Sequence, residues 1–164
     1  MATFDLVPAP QTVAGLDAAW PGLAGPGSWF TGAERIDIAR ETRASRSCGL
    51  CAERKAALSP YSIGGEHESA LVDAVNRITT DPGRLSEKWY DEATGAGMLP
   101  EQVVEIAGIV GVVTIADTLA HSLGQPTREL PSLLPGEPSR QRVPGAIVAG
   151  GWVPMVAIDQ AEGP

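Results

Sequence analysis

The chain has 164 residues, of which 43% are hydrophobic and 20% charged, a composition typical of one globular domain and not of a disordered chain. Its 20 acidic residues outnumber its 12 basic ones, and a net charge of −8 argues against a nucleic-acid-binding protein, whose affinity depends on neutralising phosphates. Two cysteines are too few for a disulfide-rich secreted scaffold.

No signal for secretion or membrane insertion is found in the sequence. The first residues carry neither the basic region nor the apolar region of a secretory signal. The longest uninterrupted weakly polar run, 106–116, is too short to cross a bilayer. We therefore expect a cytoplasmic protein without a membrane partner, in which thiols stay reduced unless they are catalytic.

Residues 1–30 are predicted to form an irregular arm, because prolines and glycines recur along them. At most one short helical turn is expected there, at about 13–19. The large apolar side chains of Trp20, Trp29 and Phe30 are expected to dock on the core.

Helical signals begin directly after this arm. The four residues from Thr31 to Glu34 match a capping box and predict a helix over 32–46. Ser47 is predicted to cap a second helix over 48–58, which stops before a Ser-Pro pair.

Three further helices are predicted before the chain changes character. Apolar residues at helical spacing indicate a helix at about 67–79, and Ser86 is a suitable cap for a helix over 87–96. Pro100 and Gly124 fit the start and the end of a long helix, which is apolar nearly all round and therefore expected to be buried on most faces.

The residues from 125 to 164 are predicted to form a tail, since they hold seven of the 14 prolines and five glycines. We expect this tail to wrap the domain or to reach a neighbouring subunit. The chain as a whole is thus predicted to be all-α, with an arm at 1–30, a helical domain at 31–124 and a tail at 125–164.

One motif carries chemistry, the C-x-x-C of Cys48 and Cys51. A structural zinc site needs two more ligands, and the only histidines, His67 and His121, lack the usual close spacing. The pair can also be inert and structural. A redox dithiol is favoured, because a helix N-terminus stabilises a thiolate and the motif stands at a predicted helix start.

The charge pattern around the motif supports the redox interpretation. Residues 33–58 hold six of the 12 basic residues against four acidic ones, in a chain that is otherwise strongly acidic. Nearby cations lower the pKa of a thiol and raise its reactive thiolate fraction. Each arginine taken singly is better explained by an ordinary surface ion pair, so the prediction rests on the cluster.

Four segments share an order of motifs with a known superfamily: ERIDIAR at 34–40, CGLCAERKAAL at 48–58, NRITTDPGRL at 76–85 and GMLPEQVVEI at 97–106. Together with the long helix that follows, they resemble the carboxymuconolactone decarboxylase / alkylhydroperoxidase D superfamily. The resemblance covers about 31–126. It implies an all-helical, alkylhydroperoxidase D-like bundle that assembles as trimers or hexamers.

The resemblance also implies an activity, the reduction of a hydroperoxide at the C-x-x-C with an external dithiol as reductant and with no metal or organic cofactor. Carried over by position, Cys51 is the peroxidatic cysteine and Cys48 the resolving one. Glu34, which opens the preceding helix, best matches the proton-relay acid of the family.

Two departures from the family pattern concern the proton relay. The family histidine four residues after the second cysteine is Lys55 here, which can stabilise a thiolate but does not shuttle protons readily near neutral pH. Glu34 stands two residues further from the first cysteine than the family glutamate does, so Asp37 or Glu41 is the alternative acid.

The two histidines are candidates to replace the missing relay group. His121 either serves this role, with Asp117 one turn before it, or simply caps the end of the long helix. His67 stands beside two glutamates at a predicted helix start, where a solvated side chain is the ordinary explanation.

Two alternatives to a thiol-dependent peroxidase or disulfide oxidoreductase stay open. The chain can be a non-catalytic, oligomeric or partner-binding member of the same fold, which the Lys55 departure and the tail favour. A lyase acting on a lactone acid, as the family name suggests, is less favoured because that reaction does not need paired cysteines.

Overall fold

Helices make up the regular structure of residues 7–148 and 151–156, the part of the chain that the computed structural model describes. No β-strand occurs within these ranges, and one isolated bridge joins Ile147 to Met155, so the predicted all-α class is confirmed. The six α-helices are α1 (Pro10–Ala19), α2 (Gly32–Ala44), α3 (Gly49–Ala56), α4 (Ala70–Thr80), α5 (Glu87–Gly95) and α6 (Pro100–Ser122).

Side-chain caps fix where several of these helices begin. The backbone N–H of Glu34 donates to the Thr31 hydroxyl, and the Glu34 carboxylate accepts from the Thr31 N–H at 2.8 Å, so the predicted capping box is confirmed. Ser86 caps α5 as predicted. Helix α6 begins at Pro100 as predicted, and Gly124 adopts a positive φ just beyond its end.

Several predicted boundaries differ from the structure, and α2 and α3 each end two residues earlier than predicted, at Ala44 and Ala56. The arm contains a full ten-residue helix, α1, where at most a turn at 13–19 was expected, because Pro10 at the first helical position is already set for helical φ. Helix α4 begins at Ala70, capped by Ser69, so the chain at 67–69 is irregular. Helix α3 begins at Gly49 and is capped by Cys48.

The core lies where α2, α4 and α6 pack against one another. Its fully buried side chains come from all three helices and include Ile38, Val75, Ile106 and Val113. Trp20 and Phe30 of the arm are buried against this core, as predicted, and α5 adds Trp89. The three-helix contact holds α3 in place, since α3 packs on α4.

One face of α6 is exposed and only 44% of its most apolar 18-residue window is buried, which corrects the expectation that this helix is buried on most faces. Val104 and Ile115 on that face are 48% and 53% exposed. By length and composition α6 is also sufficiently apolar to cross a membrane, with a mean hydropathy of 1.9, a criterion that core helices of soluble proteins meet as well. Cytoplasmic location therefore stays a prediction.

The tail runs back along the arm over its described part. The indole N–H of Trp20 donates to the carbonyl of Glu129 at 2.9 Å, and the N–H of Leu134 donates to the carbonyl of Ala24 at 3.0 Å. The Trp152 ring packs on that of Tyr90. Residues 1–6 of the predicted arm, and 149–150 and 157–164 of the predicted tail, lie outside the described residues.

A buried carboxylate joins these layers. Asp117 of α6 is 1% exposed and accepts two hydrogen bonds from the guanidinium of Arg43 on α2, at 2.8 and 3.0 Å. The same guanidinium donates to the carbonyl of Arg128 in the tail at 2.8 Å. Asp117 is thus a structural group, and its position between α2, α6 and the tail explains an acid within an apolar helix.

We expect Asp117→Asn to lower the free energy of unfolding by about 2 to 3 kcal/mol, because it leaves the largely covered Arg43 guanidinium without its counter-charge. The matched control is Asp37→Asn. The Asp37 carboxylate and its partner Arg40 are both exposed, so this substitution should lower the free energy of unfolding by under about 1 kcal/mol. Urea denaturation followed by tryptophan fluorescence measures both. Equal losses in the two variants would contradict the structural role of Asp117.

Candidate redox site

Cys48 stands at the N-terminus of α3, one residue later than the predicted cap Ser47. Its sulfur accepts a hydrogen bond from the backbone N–H of Cys51 at 3.2 Å, in the manner of a serine or threonine cap. The first N–H groups of a helix lack intrahelical partners, so this end of α3 presents donors and the positive end of its dipole to the sulfur. Cys48 is also only half-buried and lines an open cleft.

Cys51 lies one turn further on and is 5% exposed. Its thiol donates to the side-chain oxygen of Asn76 at 3.0 Å. The Asn76 carboxamide is fixed in this orientation, since its nitrogen donates to the Val72 carbonyl at 2.9 Å and to the Glu41 carboxylate at 2.5 Å. Cys51 therefore faces an acceptor, which favours the protonated thiol.

The pKa of Cys51 reflects this environment. Burial raises the pKa to about 12, and the hydrogen bond and charge of the neighbouring Cys48 act in the same direction. The Thr80 hydroxyl and the Arg54 charge lower the pKa but are outweighed. The expectation that the surrounding cations make a reactive thiolate is thus wrong for Cys51, because desolvation exceeds their effect.

His67 reaches the second cysteine from the irregular segment before α4. Its Nε2 lies 3.7 Å from the Cys51 sulfur, and its side chain is 11% exposed. Gly65, with φ of 102°, turns the chain at this point, and its carbonyl accepts from Arg54 at 2.9 Å. Because the segment is irregular and not helical, His67 is covered and not solvated as its glutamate neighbours suggested.

An ionised carboxylate lies beside the same His67 nitrogen that faces Cys51. Asp73 lies 4.0 Å from His67 Nε2 and accepts hydrogen bonds from Arg54 and Arg77, each at 2.7 Å. Burial by itself would raise the pKa of Asp73, but the hydrogen bonds and charges of the two arginines hold that pKa below its usual value. Asp73 is therefore an ionised neighbour of the imidazole.

The structure brings some of the predicted site residues together and separates others. Cys48, Cys51 and Lys55 line one cleft of about 380 Å³. Glu34 does not line it, because its carboxylate is held by Thr31 at the opposite end of α2. His121 is exposed in the last turn of α6 and lines no described cavity with the cysteines.

Asn76 and Asp73 are the contacts that the sequence analysis missed. Both belong to α4, and neither is part of a recognisable sequence motif. Their contacts with the site arise from the packing of helices against one another. Glu41, weighed as an alternative acid, is the carboxylate that connects to Cys51, through Asn76. Asp37, the other alternative, is exposed and pairs with Arg40.

Cys48, Cys51 and His67 could also hold a metal ion, since their ligand atoms all lie within 4.8 Å of one another. Two thiolates and an imidazole form a three-ligand donor set that zinc accepts together with water. The third ligand lies 16 residues beyond the motif, outside the spacing that a sequence pattern recognises. The Asn76 oxygen beside the Cys51 sulfur opposes a metal-bound thiolate, whose outer partner should be a donor.

Comparison with known proteins finds no matching protein family, curated protein or solved structure. The resemblance to the alkylhydroperoxidase D superfamily therefore stays a prediction based on its motifs.

We expect the two cysteines to differ in reactivity. In the reduced protein at pH 8, iodoacetamide should modify Cys48 and leave Cys51 unmodified, which peptide mass spectrometry reports. In Cys48→Ser, the alkylation rate of Cys51 should keep rising up to pH 10 without a plateau, because burial keeps its pKa far above the ordinary value. A plateau below pH 9 would contradict this ordering.

Proposed function

We propose that the chain is a redox enzyme in which Cys48 and Cys51 cycle between two thiols and a disulfide, reducing a hydroperoxide at the expense of an external dithiol. The observation that carries this proposal is the position of the Cys48 sulfur at the N-terminus of α3, with the Cys51 thiol one turn away and His67 at 3.7 Å from it. A half-buried, helix-capping cysteine beside a buried one is an arrangement suited to a nucleophile and its resolving partner.

The first step uses the Cys48 thiolate. It attacks one oxygen of the hydroperoxide, the O–O bond breaks, and the leaving alkoxide takes up a proton to become an alcohol or water. Cys48 is left as a sulfenic acid. The Cys51 N–H that donates to this sulfur and the positive end of the α3 dipole face the negative charge of the attacking thiolate.

The second step uses Cys51. Its sulfur attacks the Cys48 sulfenic acid, an S–S bond forms, the S–O bond breaks, and the hydroxide leaves as water with the proton from the Cys51 thiol. The external dithiol then attacks the disulfide in two exchange steps, which return both cysteines to thiols and oxidise the reductant to a disulfide.

This order of roles reverses the one that the resemblance implies. The Cys51 thiol donates to a fixed acceptor, and its pKa is about 12. Cys51 is therefore a poor first nucleophile at neutral pH. The same properties suit a resolving cysteine, which must stay protonated until a sulfenic acid forms beside it. We therefore assign the attack to Cys48 and the resolution to Cys51.

His67 is proposed as the base for the resolving step. Its Nε2 lies 3.7 Å from the Cys51 sulfur, and the Asp73 carboxylate, 4.0 Å from the same nitrogen, stabilises the imidazolium that results. This histidine takes the place that the family histidine would have at Lys55. Lys55 remains on the cleft as a positive charge near the Cys48 sulfur.

A second candidate function is a non-catalytic, oligomeric member of the same fold, and one observation favours it. Cys51 is buried with a raised pKa, as an inert structural thiol would be. The exposed apolar side chains of Val104 and Ile115 on α6 are consistent with assembly into the trimers or hexamers that the resemblance implies.

We expect the protein to consume a hydroperoxide when a dithiol is supplied, and Cys48→Ser to abolish this because it removes the nucleophile. Cys51→Ser should react once and then accumulate a sulfenic acid at Cys48, which dimedone labels. His67→Gln should slow turnover by about 10²-fold, the usual contribution of a general base. Peroxide loss, followed colorimetrically, measures all three.

His121→Gln is the matched control, since His121 is exposed and does not line the cleft that holds the cysteines. It should turn over like the unaltered protein. Sulfenic acid trapped on Cys51 in Cys48→Ser would reverse the assigned roles. If the protein reacts with a small disulfide but with no hydroperoxide, it is a disulfide oxidoreductase, and if it reacts with neither, the non-catalytic function is favoured.

A further inference from the structure

We propose that the cleft beside Cys48 binds an anionic group, a carboxylate or a phosphate, carried by the small molecule that reacts with the cysteines. This inference names the substrate class of the redox site and rests on the proposed function. It is argued from the charge of the cleft, from the partners of its cations and from one buried hydroxyl.

The cleft is positive and rich in hydroxyl groups. Arg46 and Lys55 line it together with the two cysteines, five of the remaining lining residues are serine or threonine, and none is aspartate or glutamate. At about 380 Å³ it has room for a small molecule. Because the whole chain carries a net charge of −8, a cationic cleft on it concentrates anions locally.

The two cations of the cleft differ from the other basic residues near the cysteines. Arg54, Arg77 and Arg84 each donate to a carboxylate at 2.6–2.7 Å and are thereby neutralised. Lys55, by contrast, is exposed and forms no ion pair with a described residue.

Arg46 has only a distant partner. It lies 3.6 Å from a carboxylate oxygen of Asp117, and both oxygens of that carboxylate already accept shorter bonds from Arg43. The charges of Lys55 and Arg46 therefore remain available to a ligand.

A buried hydroxyl in the wall of the cleft independently points to a ligand. The hydroxyl oxygen of Thr114 on α6 is fully buried and has no hydrogen-bond partner in the described part of the chain. Neighbouring hydroxyls of the same cleft are satisfied, since Thr79 donates to the Val75 carbonyl and Thr80 to that of Asn76. Rotation of the Thr114 side chain toward the cleft would bring this hydroxyl to an oxyanion bound there, which would supply the acceptor that it lacks.

The first experiment compares two alkylating agents that differ in charge. Iodoacetate is an anion and iodoacetamide is neutral, so the ratio of their rates at Cys48 reports attraction for the anion, while any change in the Cys48 pKa cancels. Lys55→Gln and Arg46→Gln should each lower this ratio by about fivefold, the effect of one charge about 4 Å away in water. Thr114→Val should also lower it.

Lys88→Gln is the control, because Lys88 is an exposed lysine on α5 that pairs with Glu92, away from the cleft. Lys88→Gln should keep the same ratio of iodoacetate to iodoacetamide rates as the unaltered protein. High salt should abolish the preference for iodoacetate in the variant and in the unaltered protein. A ratio unaffected by Lys55→Gln and by Arg46→Gln overturns the inference. The measurement does not require turnover, so an inactive enzyme with an anion preference would contradict only the proposed function.

A direct titration tests the cleft even if Cys48 proves unreactive. Inorganic phosphate added to the ¹⁵N-labelled protein should shift the amide signals of Arg46, Lys55 and Thr114, and the shifts should be lost in Lys55→Gln. Absence of any shift at these amides overturns the inference. Shifts that persist unchanged in both cation variants also overturn it, since they report an adventitious ion only.

The source of the anionic group is separated by two matched pairs of substrates. One pair is a fatty-acid hydroperoxide and its methyl ester, and the other is 3-mercaptopropionate and 2-mercaptoethanol as reductants. A preference for the carboxylate in the first pair assigns the cleft to the oxidant, and in the second pair to the reductant. No preference in either pair overturns the assignment of the cleft to a substrate.

Discussion

The fixed orientation of one buried carboxamide determines the arrangement of the candidate site. Asn76 stands on α4 and contacts Cys51 of α3 with its oxygen and Glu41 of α2 with its nitrogen. A second bond to the Val72 carbonyl prevents the amide from turning over. The Asn76 side chain therefore joins α2, α3 and α4, and it presents only a hydrogen-bond acceptor to Cys51.

This constraint makes the two sulfurs chemically unequal although they are one helical turn apart. The first sulfur receives a hydrogen bond from a backbone N–H at a helix start, and the second donates one into a dry interior. A dithiol site needs such inequality, because two equally acidic thiols would compete for the same oxidant and two equally buried ones would meet none. The C-x-x-C spacing alone does not show which cysteine is the nucleophile and which the resolving one. The structure distinguishes them because α3 begins one residue later than predicted, which makes Cys48 the cap.

The sequence predicts the parts of the molecule that are governed by local rules. The Thr31 capping box, the Ser86 cap and the limits of α6 follow from residue types at fixed offsets, and the structure confirms them. The all-α class follows from the same signals. The expectation of redox chemistry came from the C-x-x-C at a predicted helix start, and the resemblance added the hydroperoxide and the roles of the two cysteines.

The contacts that make the site are not predictable in this way, because they depend on how helices pack. His67 arrives beside Cys51 through an irregular segment, and Asn76 through the α3–α4 contact, so neither has a signature in the sequence. Glu34 matched the family acid by position along the chain, but its carboxylate is used at the start of α2. Desolvation of Cys51 likewise depends on neighbours far away in sequence, and it outweighs the local cluster of positive charge.

The contact between the arm and the tail has a consequence for the order of folding. Trp20 and Glu129 are 109 positions apart, so their hydrogen bond closes a loop that contains every helix from α2 to α6. This loop is longer than the one closed by Arg43 and Asp117 between α2 and α6, which are 74 positions apart. During synthesis the α2–α4–α6 core can therefore assemble before the bond between Trp20 and Glu129 forms, and that bond then adds to the packing of Trp20 on the core.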